Sequence, residues 1–287
     1  MKRSYIKYFA ALLLFGSNGI VASLISLSSY EIVLLRSLLG SLLLVGIFFL
    51  SGHRLTIWRN KKDLLFIALS GFAMAADWLL LFEAYAQIGV SLGMIINYCG
   101  PAIVIAFSAL FLKEKVTWAK MLALIAAFAG VVLISGQAAE AGVSPLGLLY
   151  AVLSALSYSA MVIFNRMAKQ VIGMENATLQ LLFAFIFIAV FVGVNQGFHM
   201  NITAADWFSI LWIGLINTGV SCYFYFSSIG VLPVLTVAIC GYLEPLSAVL
   251  LSVIILQETL LPLQIIGSVM IIGGAVFGEC YIDRKKQ

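Results

Sequence analysis

Long apolar stretches alternate with short polar connections along the whole chain. Ten stretches stand out: Tyr5–Ser26, Tyr30–Leu50, Leu64–Ala86, Val90–Leu112, Thr117–Ser135, Leu146–Ala168, Thr178–Asn195, Trp207–Ser227, Val234–Leu256 and Leu261–Tyr281. Each is roughly 18 to 23 residues long, enough to cross a hydrocarbon core of about 30 Å as a helix. Strand-length segments of alternating hydrophobicity, as a membrane barrel would need, are absent. The pattern predicts an all-α integral membrane protein of ten transmembrane helices, without a soluble domain. Lys2, Arg3 and Lys7 precede the first stretch as in a signal peptide. That stretch is long, however, and no soluble domain follows it, so it is expected to remain as a helix.

Composition agrees. Hydrophobic residues make up 63% of the 287-residue chain and charged residues 10%, against roughly 45–50% and about 25% in soluble domains. The charges also orient the helices. With the N-terminus inside, the cytoplasmic segments hold Lys2, Arg3 and Lys7, then Arg54, Arg59, Lys61 and Lys62, then Lys113, Lys115 and Lys120, then Arg166 and Lys169, then Arg284, Lys285 and Lys286. Arg36 lies inside a helix. The outer loops carry Glu31, Glu140, Asp206 and Glu258 but no lysine or arginine. Basic residues resist translocation, so both termini are expected in the cytoplasm and the protein in the cell (inner) membrane. The net charge of +4 therefore reflects topology and calls for no nucleic-acid partner.

The sequence repeats itself. Pro101, Glu114 and Gly130 recur as Pro245, Glu258 and Gly274, each 144 positions later. Ile88-Gly89-Val90 recurs as Ile229-Gly230-Val231, offset by 141. Ten helices divide into a first five-helix repeat over residues 1–138 and a second over 139–287. The first begins inside and the second outside, so the repeats are inverted. Inverted repeats give a chain two related conformations, one open to each face of the membrane.

These motifs resemble a known group. Phe82-Glu83-Ala84-Tyr85, Val90-Ser91, Asn97-Tyr98-Cys99-Gly100-Pro101 and Leu112-Lys113-Glu114-Lys115 resemble the EamA-type branch of the drug/metabolite transporter superfamily. So do Tyr242-Leu243-Glu244-Pro245-Leu246, Gln257-Glu258-Thr259, Gly267 and Gly273-Gly274. Arg36 matches a basic residue often found early in the family's second helix. The resemblance implies a central cavity lined by helices 1–4 and 6–9, with helices 5 and 10 peripheral. It also implies export, or sometimes uptake, of small organic metabolites. Asp77 departs from the family's common pattern, so a charge-based argument about the substrate is specific to this chain.

Ionisable groups at bilayer depth cost at least about 2.5–3.5 kcal/mol, so each needs a reason. Arg36 and Glu83 fall at similar depth near the outer face and are expected to form a structural ion pair. Asp77 and Glu244 fall near the midplane, where they would meet a substrate charge or a proton. Asn217, Ser221 and Tyr225 follow at steps of four and form one predicted stripe. Asn18, Asn97, Tyr98, Tyr158 and Trp78 complete the expected substrate site with Asp77, Asn217, Tyr225 and Glu244. Pro101 and Pro245 interrupt matched helices and are hinge candidates, the alternative being inherited kinks without mobility. Glu114 and Glu258, at helix ends, are assigned to capping and loop order. Small residues in helices 5 and 10, among them Gly130, Gly267 and Gly274, serve close helix packing or a homodimer contact.

Cys99, Cys222, Cys240 and Cys280 have no metal-ligand spacing, and His53 and His199 lie on opposite sides, so no metal or cofactor is expected. No ATP-binding motif is present. A secondary transporter of a small-molecule solute follows, with an amino acid or amine as the expected cargo and export as the expected direction. Asp77, Glu83 and Glu244 are the candidates to carry a coupling proton. A membrane enzyme would need a nucleophile or a cluster of convergent His and Asp groups. A receptor or scaffold would need neither the repeat nor the midplane carboxylates.

Overall fold

The computed structural model describes residues 2–57, 60–100, 103–104, 118–140, 142–171, 173–229, 232 and 241–284. Among them every regular element is helical. The first predicted stretch is α1 (Lys2–Gly16) and α2 (Asn18–Ser23), separated at Ser17, whose hydroxyl turns back to the Leu14 carbonyl at 2.8 Å. Then come α3 (Ser29–Leu50), α4 (Lys61–Ile88), α5 (Val90–Asn97), α6 (Trp118–Glu140), α7 (Pro145–Met167) and α8 (Gly173–Asn195). The eighth stretch is α9 (Asp206–Leu211), a π-helical segment (Trp212–Val220) and α10 (Ser221–Ile229), and the chain continues through α11 (Leu243–Ile255) to α12 (Pro262–Arg284). Six helical runs among the described residues are long and apolar enough to cross a membrane: Lys2–Ser23, Ser29–Leu50, Lys61–Ile88, Pro145–Met167, Gly173–Asn195 and Asp206–Tyr225. Met121–Ile134, Leu243–Ile255 and Pro262–Gly274 are shorter apolar helices. The hinge candidate Pro101, Glu114, most of the fourth stretch beyond Tyr98 and the first part of the ninth lie outside the described residues.

The helix starts are chemically ordinary. Ser28 and Glu31 form a reciprocal capping box, with Ser28 N–H donating to Glu31 Oε2 at 2.8 Å. Asn60 Oδ1 accepts from the N–H groups of Lys62 and Asp63, and Ser144 caps α7 with Pro145 at the first helical position. The seventh helix starts at Gly173, five residues before the predicted Thr178. Its first turn is held by Glu175, whose carboxylate accepts from Thr56 N–H, Thr56 Oγ1 and Ile57 N–H of the connection before α4.

The two halves interlock. The first predicted helix packs on the eighth and ninth, the second on the seventh and eighth, and the third on the sixth and seventh. The fourth packs on the sixth and ninth, and the fifth on the tenth. Exchanging the halves turns each of these pairings into itself or into another member of the same set. The outward faces are apolar: Leu42, Phe72, Phe128, Val190 and Leu250 are all exposed, as lipid-facing positions require.

Pro245 is not a mid-helix break. It is the third residue of α11, where its missing N–H would have no intrahelical partner anyway. The interruption comes just before it, at Tyr242. In the first half the helix stops at Asn97, and the chain turns at Tyr98 and Cys99. Tyr98 and Tyr242 are separated by 144 positions, the repeat offset, and their rings lie 6.3 Å apart. The two interruptions therefore face each other in the middle of the bundle.

The helices α6 and α12 touch through glycine. A Cβ at Gly130 would stand 2.6 Å from the Gly267 carbonyl oxygen, and one at Gly267 would stand 2.7 Å from that of Gly130. Gly274 leaves similar room for Ala126. Gly130, Gly267 and Gly274 thus serve close helix packing within the chain. Gly130→Leu should cost about 1–3 kcal/mol through overpacking and lower the apparent Tm of the detergent-purified protein. Gly46→Ala, where an added Cβ meets nothing within 4 Å, should leave Tm unchanged or slightly raised. Equal Tm for Gly130→Leu and the parent would show that the close crossing is not needed.

Candidate functional site

A cavity of about 220 Å³ lies at the centre of the bundle, beside the paired tyrosines. The α4 helix contributes Met74, Asp77, Trp78, Leu81, Phe82 and Tyr85. At ~100° per residue, positions 77, 78, 81, 82 and 85 share one face. Across from them stand Phe15 and Asn18 from the first stretch, Arg36 from α3, and Met94, Asn97 and Tyr98 from α5 and its end. The second half adds Tyr158, Met161, Gln180, Cys222, Tyr225 and Glu244. Both halves of the chain wall the same space.

Three charged side chains reach this cavity. The Asp77 carboxylate accepts from Asn97 Nδ2 at 2.8 Å. The same amide nitrogen donates to Ser154 Oγ at 3.0 Å, and Ser154 is fixed by its own bond to the Ala151 carbonyl. Asn97 thus links α4, α5 and α7 and sets the Asp77 rotamer. Glu244, in the first turn of α11, lines the cavity together with Tyr98. Arg36 donates from Nε to Thr218 Oγ1 at 3.1 Å. Its guanidinium carbon lies 4.3 Å from the Trp78 ring centre and 4.9 Å from that of Phe82. Aromatic faces stabilise a desolvated cation, but they leave most of its five donors free to meet an anion.

Asp77, Trp78, Asn97, Tyr98, Asn18, Tyr158, Tyr225 and Glu244 all line the cavity. Asn217 does not. It donates to the Leu14 carbonyl at 3.0 Å and to Ser17 Oγ at 2.9 Å, tying the eighth stretch to the first. The predicted stripe fails because Asn217 lies in the π-helical segment. There Thr218 Oγ1 and Ser221 Oγ bond back to the carbonyls five residues earlier, of Ile213 and Ile216. Wider turns rotate Asn217 and Ser221 away from Tyr225.

The Arg36–Glu83 pair is also corrected. The two side chains share a depth but not a direction. Glu83 lies on the side of α4 opposite the cavity face, and its carboxylate accepts from Gln87 Nε2 at 3.2 Å. Among cavity residues that sequence reasoning missed, Tyr85 stands within a motif already noted, and Gln180 was readable as a polar residue inside an apolar stretch. Gln180 Oε1 accepts from Asn165 Nδ2 at 2.7 Å, and Asn165 exchanges bonds with Asn176. These carboxamides lead from the cavity towards the end of α7 and start of α8.

Towards the other end, a second space of about 180 Å³ is bounded by Ala22, Ile25, Ile32, Phe82, Tyr85 and Val90 among others. Phe82 and Tyr85 border both spaces, with ring centres 5.4 Å apart. They separate the central cavity from this vestibule. Nearby, Glu258 Oε1 accepts from Val90 N–H at 2.7 Å and Oε2 from Ser91 N–H at 2.9 Å. Glu258 therefore caps a helix of the other half. Ser91 and Ser252 hydroxyls are hydrogen-bonded beside it. Among the described residues no group of three or more His, Cys, Asp or Glu side chains is placed to hold a metal.

An all-helical bundle with apolar outer faces and a charged central cavity defines a multi-pass membrane protein of the transporter class. The sequence model of the EamA-like transporter family matches residues 2–136 and again residues 145–277. The chain belongs to that family. It is 26% identical over 278 residues to the "Uncharacterized transporter YxxF" of Bacillus subtilis (strain 168), covering 94% of this chain and 87% of that protein. It is 24% identical over 236 residues to "Protein PecM" of Dickeya dadantii (strain 3937), covering 80% and 77%. A crystal structure of 18% sequence identity superposes with a TM-score of 0.69 over 98% of both chains, which speaks to the fold.

Because Arg36 and Glu83 face different spaces, their losses should add. The stability change of Arg36→Ala combined with Glu83→Gln should equal the sum of the single changes within about 0.5 kcal/mol. Chemical or thermal unfolding in detergent reads this directly. Rescue of Arg36→Ala by Glu83→Gln would restore the ion pair.

Proposed function

We propose that the protein is a secondary transporter that moves a small zwitterionic metabolite, an amino acid or a related amine, across the cytoplasmic membrane. The observation that carries the reading is Arg36 sharing one aromatic-walled cavity with Asp77 and Glu244. A guanidinium recognises a carboxylate, and a carboxylate among aromatic rings recognises an ammonium group. A cavity of about 220 Å³ suits a solute of that size. An amine without an acid group would offer no anion to the free donors of Arg36, so an amino acid fits better than a simple amine.

Alternating access is supported by the twofold match of the family model and by helix pairings that survive exchange of the halves. In this reading Phe82 and Tyr85 close the outer side. The interruptions at Tyr98 and Tyr242, with Pro101 and Pro245 beyond them, act as the hinges. Energy comes from the solute gradient or from a proton carried by Asp77 or Glu244. Export is the proposed direction, with both termini in the cytoplasm. The orientation rests on the distribution of lysine and arginine. Cysteines placed in the 136–144 and 195–205 loops should then label from outside the cell, and cysteines in 54–63 should not.

Purified protein in liposomes tests the reading through uptake and counterflow of labelled amino acids and amines, preceded by a thermal-shift screen for binding. Asp77→Asn keeps the shape of the side chain and removes its charge. It should weaken binding of the accepted solute by about thirtyfold or more, the effect of breaking a close charge contact worth ~2 kcal/mol or more. Arg36→Gln should do the same for an amino acid but not for the corresponding decarboxylated amine. Parental affinity in Asp77→Asn would remove this residue from the site. No flux of any solute despite specific binding would favour a receptor over a transporter.

A further inference from the structure

We propose that a groove on the lipid-facing side of the bundle, separate from the central cavity, holds a membrane lipid by its primary ammonium headgroup. The groove has a volume of about 260 Å³ and runs between α3, α4, α7 and α8. Glu83, Tyr30 and Tyr150 stand at one end, and Phe72, Leu79 and Phe187 line the rest. Phe72 is 53% exposed and Phe191, beside Tyr30, is 39% exposed. The groove therefore opens sideways, towards hydrocarbon.

Its polarity changes with depth in the way a lipid's does. Glu83 lies five residues before the end of α4, about 8 Å of helix. Tyr30 is the second residue of α3, Tyr150 the sixth of α7, and Phe191 four residues from the end of α8. All four belong to the same end of the bundle, the one the basic residues orient outward. Phe72 is eleven residues further down α4 from Glu83, or about 16 Å. That is close to half of a ~30 Å hydrocarbon core, the depth of one leaflet. Phe72 and Phe187 meet edge to face at 5.1 Å, as do Tyr30 and Phe191 at 5.5 Å, which stiffens the wall.

The headgroup is selected by charge. Glu83 receives one hydrogen bond, from Gln87, whose carbonyl in turn accepts from Ser144 Oγ at 2.9 Å. A carboxylate takes more than one donor, so acceptor capacity remains. An ammonium group satisfies it and gains cation–π contact with the tyrosine rings. The outer loops hold no lysine or arginine to take the phosphate of an anionic lipid. A carboxylate at this depth needs such a partner, and Arg36, turned to the other side of α4, does not serve. The occupant is therefore a zwitterionic aminophospholipid rather than an anionic one. The site does not depend on what the central cavity carries.

Native mass spectrometry of the delipidated full chain, titrated with phosphatidylethanolamine or with phosphatidylglycerol of identical acyl chains, tests this. The parent protein should bind one phosphatidylethanolamine with about fivefold preference, the effect of one charge contact at headgroup depth. Glu83→Gln should remove the preference, and Leu80→Trp should weaken binding of phosphatidylethanolamine by filling the groove, both with unchanged gel-filtration profiles. Asp77→Asn should keep the preference, which separates this site from the central one. No preference in the parent, or a preference that survives Glu83→Gln, overturns the proposal. Full displacement of the lipid by ethanolamine without chains also overturns it, since the groove would then contribute nothing.

Discussion

Hydrocarbon neither donates nor accepts hydrogen bonds, so a helix that stops at membrane depth must find partners for its terminal N–H groups within the protein. The chain reverses at Gly89, with φ of +83°, between α4 and α5. The first amides of α5 would be orphaned there, and Glu258 takes two of them with its two oxygens. Gly89 supplies both the left-handed backbone and the space, because a Cβ would stand 2.8 Å from Glu258 Oε1. The requirement of one helix end is thus met by a residue 168 positions away. Similar staples recur at other ends. Asp206 accepts from Ser26 N–H at 2.8 Å, Asp63 from Gln170 N–H at 2.8 Å, and Glu175 from the Thr56–Ile57 backbone.

The same constraint gathers the polar residues of the interior into one place. Interrupting the helices at Tyr98 and Tyr242 opens space where two continuous helices would otherwise pack. Arg36, Asp77 and Glu244 reach that space because lipid would cost each several kcal/mol. Around them the ring faces of Trp78, Phe82 and Tyr85 provide contact without competing hydrogen bonds. Asn18 Oδ1 is a buried acceptor with no partner within the protein, and it stands on the cavity wall ready for a donor from a solute or water.

The all-helical, membrane-spanning character was legible because long apolar stretches are a strong signal in membrane sequences. Facing was not. In α4 apolar residues surround the helix on every side, so nothing in the pattern distinguishes the wall bearing Asp77 from the one bearing Glu83. Depth alone suggested pairing Glu83 with Arg36, and direction separates them. Asn217 was misplaced for a different reason. Its steps of four to Ser221 and Tyr225 form a stripe only in an α-helix, and no residue type announces a π-helical segment. Pro245 marked an interruption correctly but not its position, since proline tolerates the first turn of the helix that follows. Asp77, Asn97 and Glu244 were legible because a charged or carboxamide group at mid-membrane needs protein around it.

Symmetry of architecture and asymmetry of charge divide the work between them. Tyr98 and Tyr242 occupy matched positions and their tilted rings meet 6.3 Å apart, so the walls at the centre are built alike from both halves. The charges have no such counterparts. The position matched to Glu244 is Gly100, where a Cβ would stand 2.5 Å from the Tyr158 ring, and the position matched to Asn97 is Gly241. The carboxyl of one half thus corresponds to a space filled by a tyrosine in the other. The charged groups distinguish the two sides of a cavity whose tyrosine walls are alike. A carboxylate placed at Gly100 would add a third negative group to a cavity whose described lining has a single cation, and would collide with Tyr158 in doing so. Matched positions therefore share the frame, while each charged group stands at only one position of its matched pair.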